Sequence, residues 1–425
     1  MNLDSPMVGA YCQRIWRVLL ERVGFEETQR GVRTMFKHFL FVLLLACVAV
    51  VGLVPAADAG IKVYEDGDRF IEIGGRMQIQ YLYLDPSGED SEDTIFFRRL
   101  RPYIAGSVTK DWNGKIQFDF GKSLDADEVQ VKDAYMQYTG WKNHKIFIGN
   151  SKTVFSREFL TSSKRQQTVE RWFVGQHNFG SPDRMLGFRI DGNTSSKKFE
   201  YKFNIGGESF DPDNRRMDFD TPVNDAGDFT LGWVGAGRVT YYPREPIKRD
   251  QGDFKRGSFN YAVEAAAFYW TSNDNNLQYT DEVDGVLLCN NEKKCDLDSA
   301  NGWELSAGIR GHGLSADLEY NQVAGEMIAS NVNSGMYVNG ETTIRKWQLE
   351  GGYMLANIPL EFVYKRDSMD TDGYERKWYA NDFGINYFFN QHKAKAQFLY
   401  RVESNVNGVD GADRNQFVMQ WQFVF

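Results

Sequence analysis

From residue 69 to its end, the chain consists of short segments in which apolar and polar side chains alternate. Side chains of a β-strand point in turn to opposite faces of the sheet, so each such segment has one apolar and one polar face. In the first segment the apolar face carries Ile71, Ile73, Met77, Ile79, Tyr81 and Tyr83, and the polar face carries Glu72, Arg76, Gln78 and Gln80. The pattern predicts strands whose two faces meet different environments.

Sixteen segments of this kind can be marked: 69–84, 96–109, 114–121, 129–140, 144–150, 184–193, 198–208, 229–242, 258–271, 301–312, 313–323, 342–355, 357–369, 374–390, 391–404 and 413–425. Many short alternating segments are typical of a transmembrane β-barrel, and single-chain bacterial barrels have an even number of strands. The sequence therefore predicts an all-β fold, a transmembrane antiparallel β-barrel of about sixteen strands. A barrel of this size is wide enough to hold an aqueous channel.

The final strand supports this prediction. Its odd-numbered positions from Phe417 to Phe425 are all apolar, whereas Gln420 and Gln422 lie on the other face. We expect the lipid bilayer to cover the apolar stripe. The aromatic C-terminal residue resembles the last strand of bacterial outer-membrane proteins, so we predict the bacterial outer membrane as the location.

The connections between the predicted strands alternate between tight turns and long stretches. The longest are 151–183, 209–228, 272–300 and 324–341, and all face outward if both termini are periplasmic. Short periplasmic turns and long external loops are typical of these barrels. The connection 243–257 breaks the pattern, because it is long on the periplasmic side. Either it contains an unmarked strand or it is an extended turn.

Composition changes the picture only slightly. Aromatic residues make up 15% of the chain, with 21 Tyr and 10 Trp, which fits aromatic girdles at the two membrane interfaces. The alternative is a large soluble all-β protein. An alternating wall needs apolar residues at only every second position, so a low average hydropathy does not exclude a barrel.

A leader precedes the barrel. Lys37 comes before an uncharged run at 39–54, and small residues at Ala57 and Ala59 then form a signal-peptidase pattern before Gly60. A transmembrane anchor is the alternative, but the run is short of the roughly 20 residues that usually span a bilayer. The predicted organisation is an upstream extension or misassigned start at 1–34, a signal peptide at 35–59 and the barrel domain at 60–425.

Two of the four cysteines fall in the barrel domain. Cys289 and Cys295 lie in an acidic, Asn-rich stretch, and the oxidising periplasm permits a disulfide between them. Structural zinc needs four ligands, and no histidine is nearby in sequence. We therefore predict a disulfide, no metal site and no cofactor.

Charge and histidine content limit the function classes. The net charge is −9, and removing six basic and five acidic leader residues leaves 43 and 53, a net −10. The predicted lumen carries both signs, so the local field rather than the net charge decides ion selectivity. Histidines fall mainly in predicted turns, and no Gly-x-Ser-x-Gly motif is present. We predict neither enzyme activity nor a nucleic-acid partner.

Four motifs occur in a particular order. They are Phe96–Gly106 with its Arg-Arg-x-Arg run, Lys132–Tyr138, Ile146–Asn150, and Pro182–Arg184 followed by Gly187. In order and spacing this set resembles the phosphate-selective porin O and P family. The resemblance implies a homotrimer of sixteen-stranded barrels in outer-membrane lipid. Each barrel would have its own channel for small anions such as phosphate, narrowed by an inserted third external loop, here 151–183.

The charges of that loop fit an anion constriction. Arg157, Lys164, Arg165 and Arg171 outnumber its two glutamates before residue 183. Arginine and lysine rings replace part of an anion's hydration and exclude cations, and arginine can hold phosphate oxygens in a bidentate fork.

The residues predicted to line the pore and bind anions are Arg76, Arg99, Arg101, Lys115, Arg165 and Arg171. Lumen charges also pair with each other across strands and stabilise the wall without selecting a solute. The alternatives are therefore a non-selective porin and a structural or adhesive outer-membrane barrel. Asp- and Asn-rich loops would then bind Ca²⁺ or simply be solvated.

Overall fold

Antiparallel pairing joins nearly all strands of this protein into one sheet. The computed structural model describes residues 60–121, 129–211, 216–224, 230–272, 282–283, 286–287, 296–330, 332–333 and 335–425. The strands in this part of the chain are β1 (Ile61–Asp66), β2 (Arg69–Gly74), β3 (Arg76–Pro86), β4 (Glu92–Leu100), β5 (Tyr103–Ser107), β6 (Trp112–Asp119), β7 (Gln130–Tyr138), β8 (His144–Lys152), β9 (Arg184–Asn193), β10 (Phe199–Asp211), β11 (Asp218–Asp220), β12 (Thr230–Tyr241), β13 (Asn260–Thr271), β14 (Glu282–Val283), β15 (Val286–Leu287), β16 (Leu297–Gly311), β17 (Leu314–Met327), β18 (Glu341–Met354), β19 (Leu360–Asp370), β20 (Trp378–Asn390), β21 (Ala394–Ser404) and β22 (Arg414–Val424). Twenty of them form one sheet, and β14 pairs only with β15.

The predicted number of about sixteen strands is corrected to twenty. Two predicted strands are each divided in two. The first is divided at Gly75, where the partners change from β1 and β5 to β4 and β22. The second is divided before Pro102, which has no N–H to donate to a ladder. The short strands β1 and β11 lie where no strand was predicted.

The pairings follow chain order and then return to the beginning. Each long strand pairs with the next long strand, and β22 pairs with β3 from Arg414 opposite Pro86 to Val424 opposite Arg76. The additional strand β1 pairs with β2, which also pairs with β5. The tight β16–β17 turn uses His312 and Gly313, both at positive φ (53° and 92°), which suits the right-handed twist of a hairpin.

Burial alternates along the strands as the pattern of apolar residues predicts. In β16, Trp303 and Leu305 are exposed on the outer face, whereas Glu304 and Ser306 between them are buried. The burial of β18 alternates over its full length. One face of the sheet therefore carries apolar side chains outward, and the other carries polar and charged side chains inward.

The predicted long inserted loop packs against the inner, polar face of the sheet. Strand β8 continues to Lys152, so the loop covers residues 153–183, including a single helical turn, α1 (Arg157–Leu160). Its apolar side chains Phe155, Phe173 and Val174 are at most 1% exposed. A surface loop would leave such residues in water. Here Phe155 and Phe173 pack in a cluster with Trp270 from the wall.

The connection 243–257 is an extended turn rather than a missed strand. It also folds inward, and Gln251 is 1% exposed. The two cysteines of the predicted disulfide, Cys289 and Cys295, lie outside the described residues, as does the predicted leader. No helix in the described segments is long and apolar enough to cross a bilayer.

Candidate functional site

A cavity of ≈ 570 Å³ lies between the inserted loop and the inner face of the wall from β2 to β9. Ten basic side chains line it: Arg76, Arg98, Arg99, Arg101, Lys115, Lys132, Lys152, Lys164, Arg171 and Arg184. Six acidic side chains line it as well: Glu72, Asp119, Asp133, Glu170, Asp183 and Asp220. The excess of positive charge makes this cavity the candidate site.

The structure brings five of the six sequence-predicted residues together in this cavity: Arg76, Arg99, Arg101, Lys115 and Arg171. The sixth, Arg165, does not line it. Its guanidinium instead forms an ion pair with Asp250 of the connection 243–257. Arg165 ends a short 3₁₀ turn that begins at Ser163, and this turn directs its side chain away from the cavity.

A β-bulge explains why the sequence did not indicate Arg98. Strict alternation places Arg98 on the outer face, opposite to Arg99. The register between β3 and β4 shifts there, so that Gln78 pairs with Arg99 and Ile79 with Phe97. A bulge re-aims the extra residue. Both arginines therefore line the cavity.

Glu170 of the inserted loop binds these two arginines. Its carboxylate lies 2.9 Å from Arg98 Nε and 2.7 Å from Arg99 Nη2, and it accepts a hydrogen bond of 2.8 Å from Gln80. Burial opposes the charged form of Glu170, but Arg98 and Arg99 outweigh it and lower the pKa to about 2. The carboxylate therefore stays charged at neutral pH and holds the loop against β3 and β4.

Three further wall cations are held by aspartates. Arg101 Nε lies 2.5 Å from Asp119, and Lys115 Nζ lies 3.0 Å from Asp133. Arg184 contacts Asp133 at 3.2 Å and also Asp183 at 3.0 Å. These pairs fix the side chains, because charge-assisted hydrogen bonds are about twice as strong as neutral ones.

Five cavity cations form no ion pair with any carboxylate of the described residues: Arg76, Lys132, Lys152, Lys164 and Arg171. Arg171 donates to the carbonyl oxygens of Glu158 (3.1 Å) and Thr161 (2.7 Å), which orients it but leaves its charge uncompensated. Burial and the charge of Arg99 lower its pKa to about 9. Burial and Arg76 lower the pKa of Lys164 to about 8. A bound anion would stabilise both cations.

Other cavity cations were not among the residues predicted from the sequence. Lys152 and Arg171 both stack on the Phe159 ring, at 4.5 and 5.3 Å from its centroid. Lys152 and Arg184 flank the inserted loop, and this position would have been the signal for them. Lys132 begins the Lys132–Tyr138 motif but was not among the anion-binding candidates.

The wall opposite the cavity presents buried carboxylates, and the inserted loop binds several of them. Arg157 of the loop binds Asp317 at 2.7 Å and also Glu264. The backbone N–H of Thr168 donates to Glu350 at 3.1 Å, and Gln167 donates to Glu361 at 2.7 Å. The inserted loop therefore packs against these carboxylates and leaves open space beside the cationic cavity wall.

His177 is a further cavity residue that connects the inserted loop to β11. Its Nδ1 lies 2.7 Å from Asp218, and its backbone carbonyl accepts a hydrogen bond of 3.3 Å from Phe219. Burial disfavours the charged form, but Asp218 outweighs burial and raises the pKa of His177 to about 9. Among the described residues, no group of His, Cys, Asp and Glu is arranged to hold a metal ion.

Comparison with known proteins relates this geometry to channels. Residues 71–281 match the family model described as phosphate-selective porin O and P. Porin O of Pseudomonas aeruginosa is 28% identical over 124 residues, which is 28% of this chain and 28% of that protein. The chain therefore aligns with less than a third of the length of this curated relative. The family is one of channel proteins rather than enzymes.

Three solved structures share the fold. OmpT of Vibrio cholerae has a TM-score of 0.55 and 14% identity, and the match covers 86% of this chain and 99% of OmpT. The trimer form of OmpT has a TM-score of 0.52 and 13% identity over 87% and 100% of the two chains. The anion-selective porin from Comamonas acidovorans has a TM-score of 0.53 and 12% identity over 84% and 100%.

Proposed function

Through residues 71–281 the chain belongs to the phosphate-selective porin O and P family and lies in the bacterial outer membrane, and from that premise we propose that it forms a water-filled channel with a preference for small anions such as phosphate. The observation that carries this proposal is the cavity with ten basic and six acidic side chains, five of whose cations have no carboxylate partner in the described part of the chain.

The cationic face would act on a passing anion in two ways. Its excess positive charge raises the local concentration of anions and repels cations. Unpaired side chains such as Lys132, Lys164 and Arg171 then replace part of the anion's hydration shell. Several weak contacts along the passage allow an anion to enter and to leave, because no single contact holds it tightly.

The proposed architecture is a closed barrel with sixteen wall positions. The twenty strands reduce to sixteen when the divided strands β2/β3 and β4/β5 are each counted once and the short strands β1 and β11 are left out. The pairing of β22 with β3 supports closure. A barrel without an edge satisfies all backbone groups in lipid.

We propose that the protein is a homotrimer. The strands β6, β7 and β8 have only 8–9 residues, whereas β16, β17 and β18 have 14–15. A membrane-spanning strand needs about 9–11 residues, so the wall at β6–β8 only just spans the hydrocarbon layer. Its outer face carries Ile116 and Met136, which a second copy would cover. Cross-linking of the purified protein in detergent tests this assignment.

The test of the channel is the zero-current potential of the purified protein in a planar bilayer under a KCl gradient, repeated with phosphate. A zero-current potential that favours chloride, together with a reduced current when phosphate is added, supports the proposal. A cation-favouring or zero potential without block would indicate a non-selective porin. Absence of conductance would favour a structural or adhesive barrel.

The chain organisation is part of the proposal. We infer that residues 1–34 are an upstream extension, that 35–59 are a signal peptide and that the mature barrel begins at Gly60, with a disulfide between Cys289 and Cys295. The intact mass of the protein from the outer membrane tests both points. A mass that differs from that of the chain beginning at Gly60 contradicts the cleavage site. An unchanged mass after reduction contradicts the disulfide.

A further inference from the structure

The connection 243–257 is unusual because it is a long turn that folds into the lumen. It lies between β12 and β13, at the end of the sheet where the β16–β17 turn is formed by only two residues. Gln251 is 1% exposed and Asp253 is 8% exposed. Polar residues at the tip of a solvated turn would remain in water. The burial shows that the middle of this segment is an internal element.

One set of its contacts is with the inserted loop. The backbone N–H of Gln251 donates to the carbonyl of Arg165 at 2.9 Å, and its side-chain oxygen accepts from the backbone N–H of Gln167 at 2.7 Å. The hydroxyl of Thr161 donates to the carbonyl of Arg249 at 3.3 Å, and Asp250 pairs with Arg165. The two inserted segments therefore form a single body inside the lumen.

The other set of contacts is with wall carboxylates. Arg249 lies 2.9 Å from both Glu200 and Glu264, and it also donates to the hydroxyl of Thr240 at 3.1 Å. The side-chain amide of Gln251 donates to Asp317 at 3.1 Å and to Glu350 at 2.8 Å. The segment supplies a positive charge and hydrogen-bond donors to four wall carboxylates.

We propose that the connection 243–257 determines ion selectivity from the side opposite the cationic cavity, with Arg249 as the specificity-determining residue. Carboxylates that face a lumen attract cations, as acidic rings do in cation channels. Arg249 neutralises and covers Glu200 and Glu264, so that the field in the open passage is set by the cationic wall alone. This inference rests on the channel proposed above, but not on its preference for anions.

The expected effect follows from one unbalanced charge. Replacing Arg249 with Gln removes one positive charge and leaves Glu200 with Lys202 alone, at 3.5 Å, a lysine that it shares with Asp191. Glu264 keeps Arg157 and Arg238. At about 10 Å from the ion path and an effective dielectric constant of about 40–80, one charge changes the local concentration of each ion by about two- to fourfold, in opposite directions for anions and cations. The ratio of anion to cation permeability therefore changes by about four- to sixteenfold before screening by salt. The measurement belongs in dilute salt, because the Debye length is about 10 Å at 0.1 M.

The matched control is Arg244→Gln in the same segment. Arg244 is exposed, and within the described part of the chain its side chain donates to the carbonyl of Phe259 at 3.2 Å and forms no ion pair. Arg249→Gln and Arg244→Gln remove the same charge from the same connection. We expect a lower anion-to-cation permeability ratio in Arg249→Gln only. Equal ratios in the two variants would overturn the inference, whatever the selectivity of the unaltered channel.

A double variant separates charge from displacement of the loop. If the exposed Glu200 carboxylate causes the change, adding Glu200→Gln to Arg249→Gln returns the ratio to that of Arg244→Gln. A ratio that stays low in the double variant would mean that the segment acts by positioning the loop, and the electrostatic inference would fail. Heat-modifiable mobility on a gel checks that each variant is folded. Absence of conductance in the unaltered protein would instead refute the proposed channel.

Discussion

Replacing Glu170 with Gln tests whether the carboxylate of this loop residue competes with permeating anions for the cationic cavity wall. The Glu170 carboxylate occupies the position between Arg98 and Arg99 that a permeating oxyanion would otherwise take, at 2.9 and 2.7 Å from their nitrogens. Its side chain is 14% exposed, so it borders the open passage. We expect Glu170→Gln to increase the number of unpaired cavity cations from five to seven and to strengthen phosphate binding.

The size of the effect can be estimated from these contacts. A hydrogen bond to a charged group contributes about 1.5–3 kcal/mol net. Water in the cavity screens the released arginines, so we take the lower value for a phosphate that binds them. That value corresponds to about a tenfold lower dissociation constant. The loop should stay in place, because Lys365 still binds Glu158 at 2.5 Å and Lys395 still donates to the carbonyl of Gln166 at 2.7 Å.

The assay is the concentration of phosphate that halves the chloride current of single channels in a planar bilayer. Glu245→Gln is the control, because Glu245 is an exposed glutamate of the connection 243–257, away from the cavity. A half-blocking concentration in Glu170→Gln equal to or above that of Glu245→Gln, in folded channels, would refute the reasoning. Arg98 and Arg99 would then serve only to anchor the loop.

Two further predictions follow from the same contacts. Arg171→Glu should lower the anion-to-cation permeability ratio more than Arg165→Glu does, because only Arg171 lines the cavity; equal effects in the bilayer would contradict this placement. Asp218 raises the pKa of His177 to about 9, whereas a free histidine has a pKa of about 6.5. The ion pair therefore stabilises the loop fully below about pH 6.5, and this stabilisation is lost as the pH rises through about 9. After correction for intrinsic rates, exchange of the Phe219 amide hydrogen should accelerate across that interval, and His177→Gln should abolish the dependence; the same profile in the variant would exclude the pair as its cause.

The strands of the wall and their two faces can be predicted from local sequence alone. Alternation has a period of two residues, so apolar positions such as Trp303 and Leu305 indicate the outer face and Glu304 the inner face without knowledge of any neighbour. The order of strands follows because consecutive strands pair. Alternation also assigned Arg76, Arg99, Arg101 and Lys115 to the inner face, and the basic excess of the inserted loop indicated Arg171.

Strand number and facing departed from the prediction where a long-range contact overrides alternation. The first strand is divided at Gly75 because its two parts have different partners: β2 pairs with β5, and β3 pairs with β4 and with β22 from the other end of the chain. Arg98 faces the cavity because the register with β3 shifts at a bulge. A single strand read alone contains no information about the register of its partner.

The sequence by itself determined the sheet, its two faces and an excess of basic residues in one loop. Only the tertiary structure decided which half of the lumen remains open. Arg165 turns toward Asp250, Arg157 reaches Asp317, and Arg249 reaches Glu200 and Glu264, all through contacts between segments distant in the chain. A charge count treats every lumen residue alike. Whether a charge acts on a passing ion depends on whether another buried charge compensates it, and that is fixed only when the inserted segments pack against the wall.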